Sequence, residues 1–556
     1  MRKTRAATIA SAIAGVAAVL VCAVGLRAAD YPGRVQGVVK TSAGAPVSGA
    51  LVKLINAGMH LTFMVSSQAG GRYTAGNLPP GNYTVQGIGN DFQSDVRQVR
   101  VTADRPATMD LLLTAARAPA LAPGWPGTPG VVGGAEVWIH EPPITLPDGD
   151  GRRILESNCT QCHEAKRITL DRLDRAGWEN AIRAMRGRIQ VAKLRDLTED
   201  EQKILLEYLV QHFSGKPGSF NPSPDPNSRL PRTLLTGAQT RFVAVDFEIP
   251  RPYADPHEIT VDAEGNGWIS QRSGCCLGKL DVKTLVYTEV PVPPGPSPTL
   301  RPDAIVKGPG NNLWIVDIPN RRWMEFDPKT SQFKIFPVPD TLKGDPGGNT
   351  MRVHPNGTVW AASIGSNAMF KLDPRTGEFS SYQVPSGIKA KRTASPYGFA
   401  IAGDGKIWFA EYAMNAVGRI DPNTGRIDEF PVPVENGVPR KVGSDADGNI
   451  WVGLHESGQL LKIDYETEKM SLYTPPTKNS GMYSVCGDLK NNVIWFSEQG
   501  TDKIGRFDPK TNTFTEFPLP YPETDVRRIE VDQNYPNRIW WAGEKSNRMG
   551  YIEVLN

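Results

Sequence analysis

The chain has 556 residues, enough for three or four domains. A net charge of +3 and a pI near 8.4 are close to balance and give no reason to expect nucleic acid or an anionic membrane surface as a partner. High glycine (55) and proline (47) beside ordinary hydrophobicity exclude a disordered chain and favour a turn-rich β protein.

Arg2, Lys3 and Arg5 precede an apolar run, IASAIAGVAAVLVCAVGL (9–26), and then RAAD. This order reads as a signal peptide over 1–29, cleaved after Ala28 or Ala29, or as a retained N-terminal anchor. The body is therefore expected outside the cytoplasm, periplasmic or secreted, with membrane contact only through an uncleaved N-terminus. Cys22 falls inside the run, behind VLV, which is a poor lipoprotein site. The cysteines that follow, Cys159, Cys162, Cys275, Cys276 and Cys486, are too few for a disulfide scaffold.

Residues 31–115 alternate apolar and polar in short stretches: GRVQGVV, ALVKLI, RYTAG, YTVQGI and RQVRVTA. The set GAPVSGALVKL and GGRYTAGNLPPGNYTV resembles the carboxypeptidase regulatory-like family. The resemblance implies an Ig-like or prealbumin-like β-sandwich, an accessory or adhesion module sometimes associated with carbohydrate. With no catalytic constellation, the residues themselves read as a structural spacer. Residues 116–145 are rich in Pro, Gly and Ala and read as a linker.

Residues 146–215 change to helical spacing. Trp178, Ile182 and Met185 share one face, and Thr198 with Glu201 forms a capping box ahead of a stripe of Ile204, Leu205, Tyr208 and Leu209. Within this segment lies ESNCTQCHEA, a Cys-x-x-Cys-His motif. Cys159 and Cys162 are placed to form thioethers to one c-type haem, with His163 as proximal ligand of the iron. Zinc lacks a second ligand pair nearby. Met185 is the candidate sixth ligand and His212 the alternative; Met185 also reads as a core methionine. The segment resembles small class I cytochrome c domains. A second linker spans 216–238.

Residues 239–556 form a repeat. Trp268, Trp314, Trp360, Trp408, Trp451, Trp495 and Trp540 recur at spacings of 46, 46, 48, 43, 44 and 45. Repeats of this length with Asp-Pro-x-Thr-Gly hairpins predict a seven-bladed β-propeller. RFVAVDFEIP (241–250) matches the strand that ends each repeat, so it is expected to complete the last blade. The fold class is thus multidomain and mainly β: a sandwich, a small all-α haem domain and the propeller.

Two columns of residues are predicted at the propeller mouth. Eleven residues before the tryptophans stand His257, Asp303, Asn349, Tyr397 and Arg440, with Tyr483 and Arg527 near the equivalent places. Three after them stand Gln271, Asp317, Ser363, Glu411, Leu454 and Glu498, with Glu544 in the last blade. Both columns are expected to open on one face around the central channel. Strand ends are also polar simply because they meet solvent.

PHEIT (256–260), WFAE (408–411), WFSE (495–498), VGRID and IGRFD resemble the virginiamycin B lyase family. The resemblance implies elimination in cyclic depsipeptide antibiotics by Pro-His histidines, a Trp-Phe-x-Glu glutamate and Mg²⁺, carried over to His257, Glu411 and Glu498 as catalytic candidates. Here only His257 keeps the Pro-His context. Tyr397, Arg440 and Arg527 stand in the corresponding blades. Cys275 and Cys276 fall in a loop on the same face and read as an adjacent-cysteine disulfide or a thiol pair. Cys486 reads as a buried small hydrophobe.

Three functions follow as expectations. The first is an exported c-type cytochrome whose haem relays electrons while the propeller docks a periplasmic redox partner or a small-molecule, peptide or carbohydrate substrate. The second is a lyase of the streptogramin B type. The third is an exported carbohydrate- or polymer-binding protein.

Overall fold

The computed structural model describes residues 31–118, 131–132, 135–136, 146–159, 173–191, 195–214 and 225–555, except 253, 274, 298–299, 349 and 479. The expected signal peptide or anchor, most of the 116–145 linker, Cys162, His163 and Asn349 lie outside the described residues. Among those described, no helix is long and apolar enough to cross a membrane.

The repeat is built around its tryptophans. The turn before the indole is written DAEGNGW in blade 1 and DADGNIW in blade 5. Gly265 and Gly448 take φ of +88° and +84° there, a region that strains any side chain. The Asp262 and Asp445 carboxylates each accept the indole N–H of Trp268 and Trp451 at 2.8 Å. A third-strand cation and a fourth-strand aromatic then pack on the buried ring. Arg419 and Phe430 lie 5.2 and 5.1 Å from Trp408, and Lys371 and Tyr382 lie 5.6 and 5.5 Å from Trp360.

Seven antiparallel four-stranded units result. Blades 1 to 6 span 256–291, 302–337, 350–383, 396–431, 439–473 and 482–518. Blade 7 takes three strands from 526–554 and its fourth from Phe242–Glu248, which pairs with Arg548–Val554 along its whole length. The closure expected from RFVAVDFEIP is found.

The seventh blade then continues into the N-terminal sandwich. Leu61–Ser66 pairs with the free edge of Phe242–Glu248, from Val243↔Val65 to Phe247↔Leu61. Sandwich and blade become one ten-stranded sheet. They also share a core: Val35, Leu54, Phe63 and Tyr83 cluster with Phe247, Ile259, Ile269, Trp540 and Tyr551. The sandwich is therefore more than a spacer. It covers an open strand edge that would otherwise template association.

The expected 216–238 linker also needs correction. From residue 225 onward it is packed on the framework, with Leu230 and Leu235 buried. The Arg117 guanidinium donates to the carbonyls of Asn90, Pro231, Asn227 and Leu230 at 2.8, 2.9, 2.6 and 3.0 Å. Residues 118 and 225 therefore meet at one place, and everything between them is an excursion from a continuous β framework.

That excursion holds three described helical stretches: Asp150–Ile154 with a wider turn through Leu155–Cys159, then Arg175–Val191, then Glu199–Phe213. The Thr198–Glu201 capping box is present. Leu155, Trp178, Leu205, Tyr208, Leu209 and Phe213 form a core. Ile204 is 40% exposed rather than part of it. The buried stripe runs through Leu205, Leu209 and Phe213 at i, i+4 and i+8, which leaves Ile204 at its margin. Gly151 permits a close helix crossing, since a Cβ there would stand 2.1 Å from the Tyr208 Cβ.

Candidate functional site at the propeller mouth

Two local devices aim side chains at the propeller axis. The first strand of nearly every blade carries a register irregularity just after its start, as between Pro256 and Ile259, Pro396 and Phe399, or Pro439 and Val442. A bulge of this kind re-aims the residues it contains. Ahead of it, the chain passes through a positive φ at Asp255, Ser395, Val438, Gly481 and Asp525. Together these place His257, Asp303, Tyr397, Arg440, Tyr483 and Arg527 at the mouth, all buried.

Of the second predicted column, only Glu544 joins them. Glu411, Glu498 and Gln271 turn outward, along their own blades. Gln271 Nε2 donates to Glu289 Oε1 at 3.0 Å, and Glu411 Oε2 accepts from the Ser386 hydroxyl at 3.0 Å, whose backbone N–H donates to Glu429 at 2.9 Å. Burial, then the neighbouring Glu429, pushes the Glu411 carboxyl up to about 8. Burial, then Glu516, pushes Glu498 up as well. Neither glutamate is brought to His257.

The mouth is completed by the residue four places after the tryptophan in five of the seven blades: Arg272, Tyr412, His455, Gln499 and the predicted Glu544. A one-residue step at a strand end reverses which way a side chain points. That is why counting three residues past the tryptophan selected the outward column. Arg272, Tyr412 and Gln499 lie outside the predicted columns, and so does His455, in GLHE, which has the chemistry of a candidate site residue. The signal available was its place one residue after a second strand, next to a carboxylate.

Contacts around the mouth form one network. His257 Nδ1 lies 3.3 Å from Asp303 Oδ1, and Arg301 holds Asp303 at 2.7 Å. Arg272 reaches Glu544 at 3.0 Å and Asp303 at 3.5 Å, while Arg527 reaches Glu544 at 2.7 Å and Asp525 at 3.0 Å. Across the mouth, the Tyr397 and Tyr483 hydroxyls are hydrogen-bonded, and Arg527 donates to Tyr483 at 3.3 Å. His455 contacts Glu456 through Nδ1 at 2.9 Å and Gln499 through Nε2 at 3.0 Å.

One layer deeper, Lys441 Nζ of blade 5 meets Glu258 of blade 1 at 2.6 Å and Thr350 of blade 3 at 2.8 Å. Blades so far apart around the ring can touch only across the axis. The mouth is therefore a bowl with a floor rather than an open channel.

The field in this bowl separates proton affinities. Burial pulls the His257 imidazole below its ordinary range, against the pull of Asp303 and Glu544, so it is neutral at neutral pH. Burial and then the Glu544 charge raise Asp255 well above the ordinary carboxylate range, which favours its protonated form. Burial opposes the Glu544 charge, but Arg527 and Arg272 outweigh it and keep Glu544 ionised. An imidazole favoured in its neutral form and a carboxyl favoured in its protonated form thus share one bowl.

Cys275 and Cys276 are joined by a disulfide in the loop that leaves Arg272, with Cys276 buried and Cys275 exposed. Cys486 is buried, and burial pushes its thiol up to about 12, in keeping with a small hydrophobe. Among the described residues, no three side chains of metal-ligating type converge. Glu411 and Glu498, in separate blades, do not fit a shared Mg²⁺ site.

In the helical unit, Cys159 packs half-buried against the core, and Met185 is half-buried on Arg175–Val191. Cys162 and His163 lie outside the described residues, so the four candidate haem residues are not seen together. His212 packs on the Tyr208 ring at 4.8 Å.

Residues 287–556 match the virginiamycin B lyase family model, and residues 34–114 match the carboxypeptidase regulatory-like domain. The C-terminal region is a virginiamycin B lyase-like propeller. The match starts inside blade 1, beyond the PHEIT stretch that holds His257, and neither match reaches residues 146–215. A streptogramin B lyase structure aligns with 23% identity and a TM-score of 0.50, over 57% of this chain and 100% of that one. A catalytically inactive virginiamycin B lyase from Staphylococcus aureus, solved with quinupristin, aligns with 20% identity and a TM-score of 0.50, over 56% and 100%. At these identities the likeness is one of fold. No curated protein matches the chain.

Proposed function

We propose that the virginiamycin B lyase-like propeller is an enzyme of the lyase type acting outside the cytoplasm, with its active site in the bowl at the mouth. The observation that carries this reading is the meeting of His257, 3.3 Å from Asp303, with the Arg272 bridge from Asp303 to Glu544, in surroundings that favour the neutral imidazole of His257 and the protonated carboxyl of Asp255. Elimination needs these two roles. His257 takes the proton from carbon, the C–O bond breaks to leave a double bond, and Asp255 supplies the proton to the departing oxygen. Asp303, held by Arg301, orients His257. The test is ring opening of quinupristin or another streptogramin B by the purified protein, followed by mass spectrometry. Ring opening lost in His257→Ala supports the reading, and an intact ring at high enzyme concentration refutes it for that substrate class.

A second reading assigns the helical unit one covalent c-type haem, which supplies electron transfer to a periplasmic partner. Two observations favour it. Cys159 sits at the end of a helical stretch against an apolar core. The buried Trp178 indole N–H has no partner among the described residues, leaving a donor suited to a carboxylate of the kind haem carries. Cys159, Cys162 and His163 would hold the group, with Met185 as a further candidate ligand of the iron. Purification from a host with working haem attachment should give a pink protein with an α-band near about 550 nm. A colourless product, or colour surviving Cys159→Ser with Cys162→Ser, overturns this reading.

A further inference from the structure

Four arginines are buried at the mouth, and three have carboxylate partners. Arg272 pairs with Glu544, Arg301 with Asp303 and Arg527 with Asp525 and Glu544. Arg440 differs. It is 7% exposed and no carboxylate lies within ion-pair distance of it among the described residues; its Nε, like that of Arg272, has no hydrogen-bond partner there. A guanidinium taken out of water without a counter-charge is costly. Its neighbours are rings: Cζ stands 4.0 Å from the Tyr412 centroid and 5.6 Å from that of Tyr483. Tyr397 closes the group, 6.3 Å from Tyr412 and 6.0 Å from Tyr483. The nearest acid to act on it, Glu456, is engaged by His455 at 2.9 Å.

The backbone that presents Arg440 is held in an unfavourable form. Val438, two residues earlier, takes φ of +51°, a conformation that a β-branched residue adopts only when its surroundings impose it. Asn415 Oδ1 accepts the Val438 N–H at 2.9 Å, and the Val438 carbonyl accepts the His455 N–H at 3.1 Å. The fork is thus fixed in place, stacked on Tyr412, at the position where the family pattern has a Pro-His histidine.

We propose that the bowl binds a small organic carboxylate, seated on Arg440 with its body against Tyr397, Tyr412 and Tyr483. This rests on the reading of the bowl as the substrate site and adds the charge of the substrate. A planar guanidinium takes a carboxylate through two parallel hydrogen bonds, and the tyrosine rings give an apolar body somewhere to lie. The seat also departs from the cyclic depsipeptides that the family resemblance implies, because such rings carry no free carboxylate to fill it.

Benzoate and benzamide test the proposal, since they share a shape and differ in charge. Isothermal titration of the full chain should show benzoate binding at least about tenfold more tightly than benzamide. Arg440→Met should abolish that preference, and Arg440→Lys should retain part of it, because lysine keeps the charge without the fork. The Arg440→Met melting temperature, no lower than that of the wild type, shows that the variant is folded. Equal binding of the two probes, unchanged in Arg440→Met, overturns the carboxylate seat while leaving the bowl as a binding site. No binding of either probe, in protein that opens streptogramin B, also overturns the seat and leaves the lyase reading standing. A preference for benzoate in protein without lyase activity keeps the seat and refutes that activity.

Discussion

Lys53 puts a number on the seam between sandwich and propeller. Its ammonium is buried, donates to Asn227 Oδ1 at 2.9 Å and to the Pro226 carbonyl at 3.2 Å, and lies 4.3 Å from the Tyr521 ring. Burial, then the nearby Arg548, pulls it from the ordinary 10.5 down to about 7, against Asp246 and Asp225, with Arg117 adding to the pull. An amine depressed in the folded state binds fewer protons than in the unfolded state between those two values. Its contribution is therefore favourable at high pH and is lost as pH falls toward 7. At about 1.36 kcal/mol per pH unit, the full penalty at or below neutral pH is on the order of 5 kcal/mol. Lys53→Met removes the titration and keeps most of the stem packing. Denaturant midpoints of both proteins at pH 7.5 and 9.5 give the assay. Relative to the variant, the wild type should gain about 2.5 kcal/mol over that interval. Parallel pH profiles would show that Lys53 keeps its solution proton affinity and that the seam is wet.

Two further outcomes follow from the same framework. Glu411, raised to about 8 by burial and Glu429, is an acid that holds its proton more tightly when folded. Its stabilisation is present below the ordinary carboxylate range and is lost as pH rises through 8, so Glu411→Gln should match the wild type at pH 4.5 and unfold at higher denaturant at pH 8, with a difference growing by about 1.4 kcal/mol per pH unit between. Phe63, buried in the core shared by sandwich and blade 7, should cost about 3–5 kcal/mol when cut to alanine. Limited proteolysis should then release the sandwich before the propeller, whereas simultaneous loss of both would mean that they unfold as one unit.

The blades were legible because each repeat must bury one indole under the same turn, and a tryptophan followed by Asp-Pro-x-Thr-Gly leaves a mark at a fixed period. Strand ends were legible only to within one residue. A bulge at Pro256–Ile259 or Pro439–Val442 adds no unusual residue type, so the aim of Glu411 against that of Tyr412 could not be read. Leu61–Ser66 escaped notice as a strand. Buried on both faces between its sandwich neighbour and the propeller, it shows a continuous apolar run, LTFMV, instead of alternation. The segment after residue 225 looked like a linker for the opposite reason: its prolines are real, but Arg117, far away in sequence, supplies the hydrogen bonds that pin it. Arg440 was visible as a departure from Pro-His. Its lack of a counter-charge depends on which acids the fold sends elsewhere.

The ten-stranded sheet imposes an order on the birth of the molecule. The sandwich is made early, yet the outer edge of Leu61–Ser66 waits for Phe242–Glu248, which emerges only after the whole helical excursion. That strand in turn has a second edge that stays open until Arg548–Val554, at the very end of the chain, arrives to close it. The growing chain therefore presents one open strand edge after another, first that of Leu61–Ser66 and then that of Phe242–Glu248, until its last blade strand is made. Loss of the last blade strand would leave that exposure permanent, so the final residues guard the solubility of domains translated hundreds of residues before them.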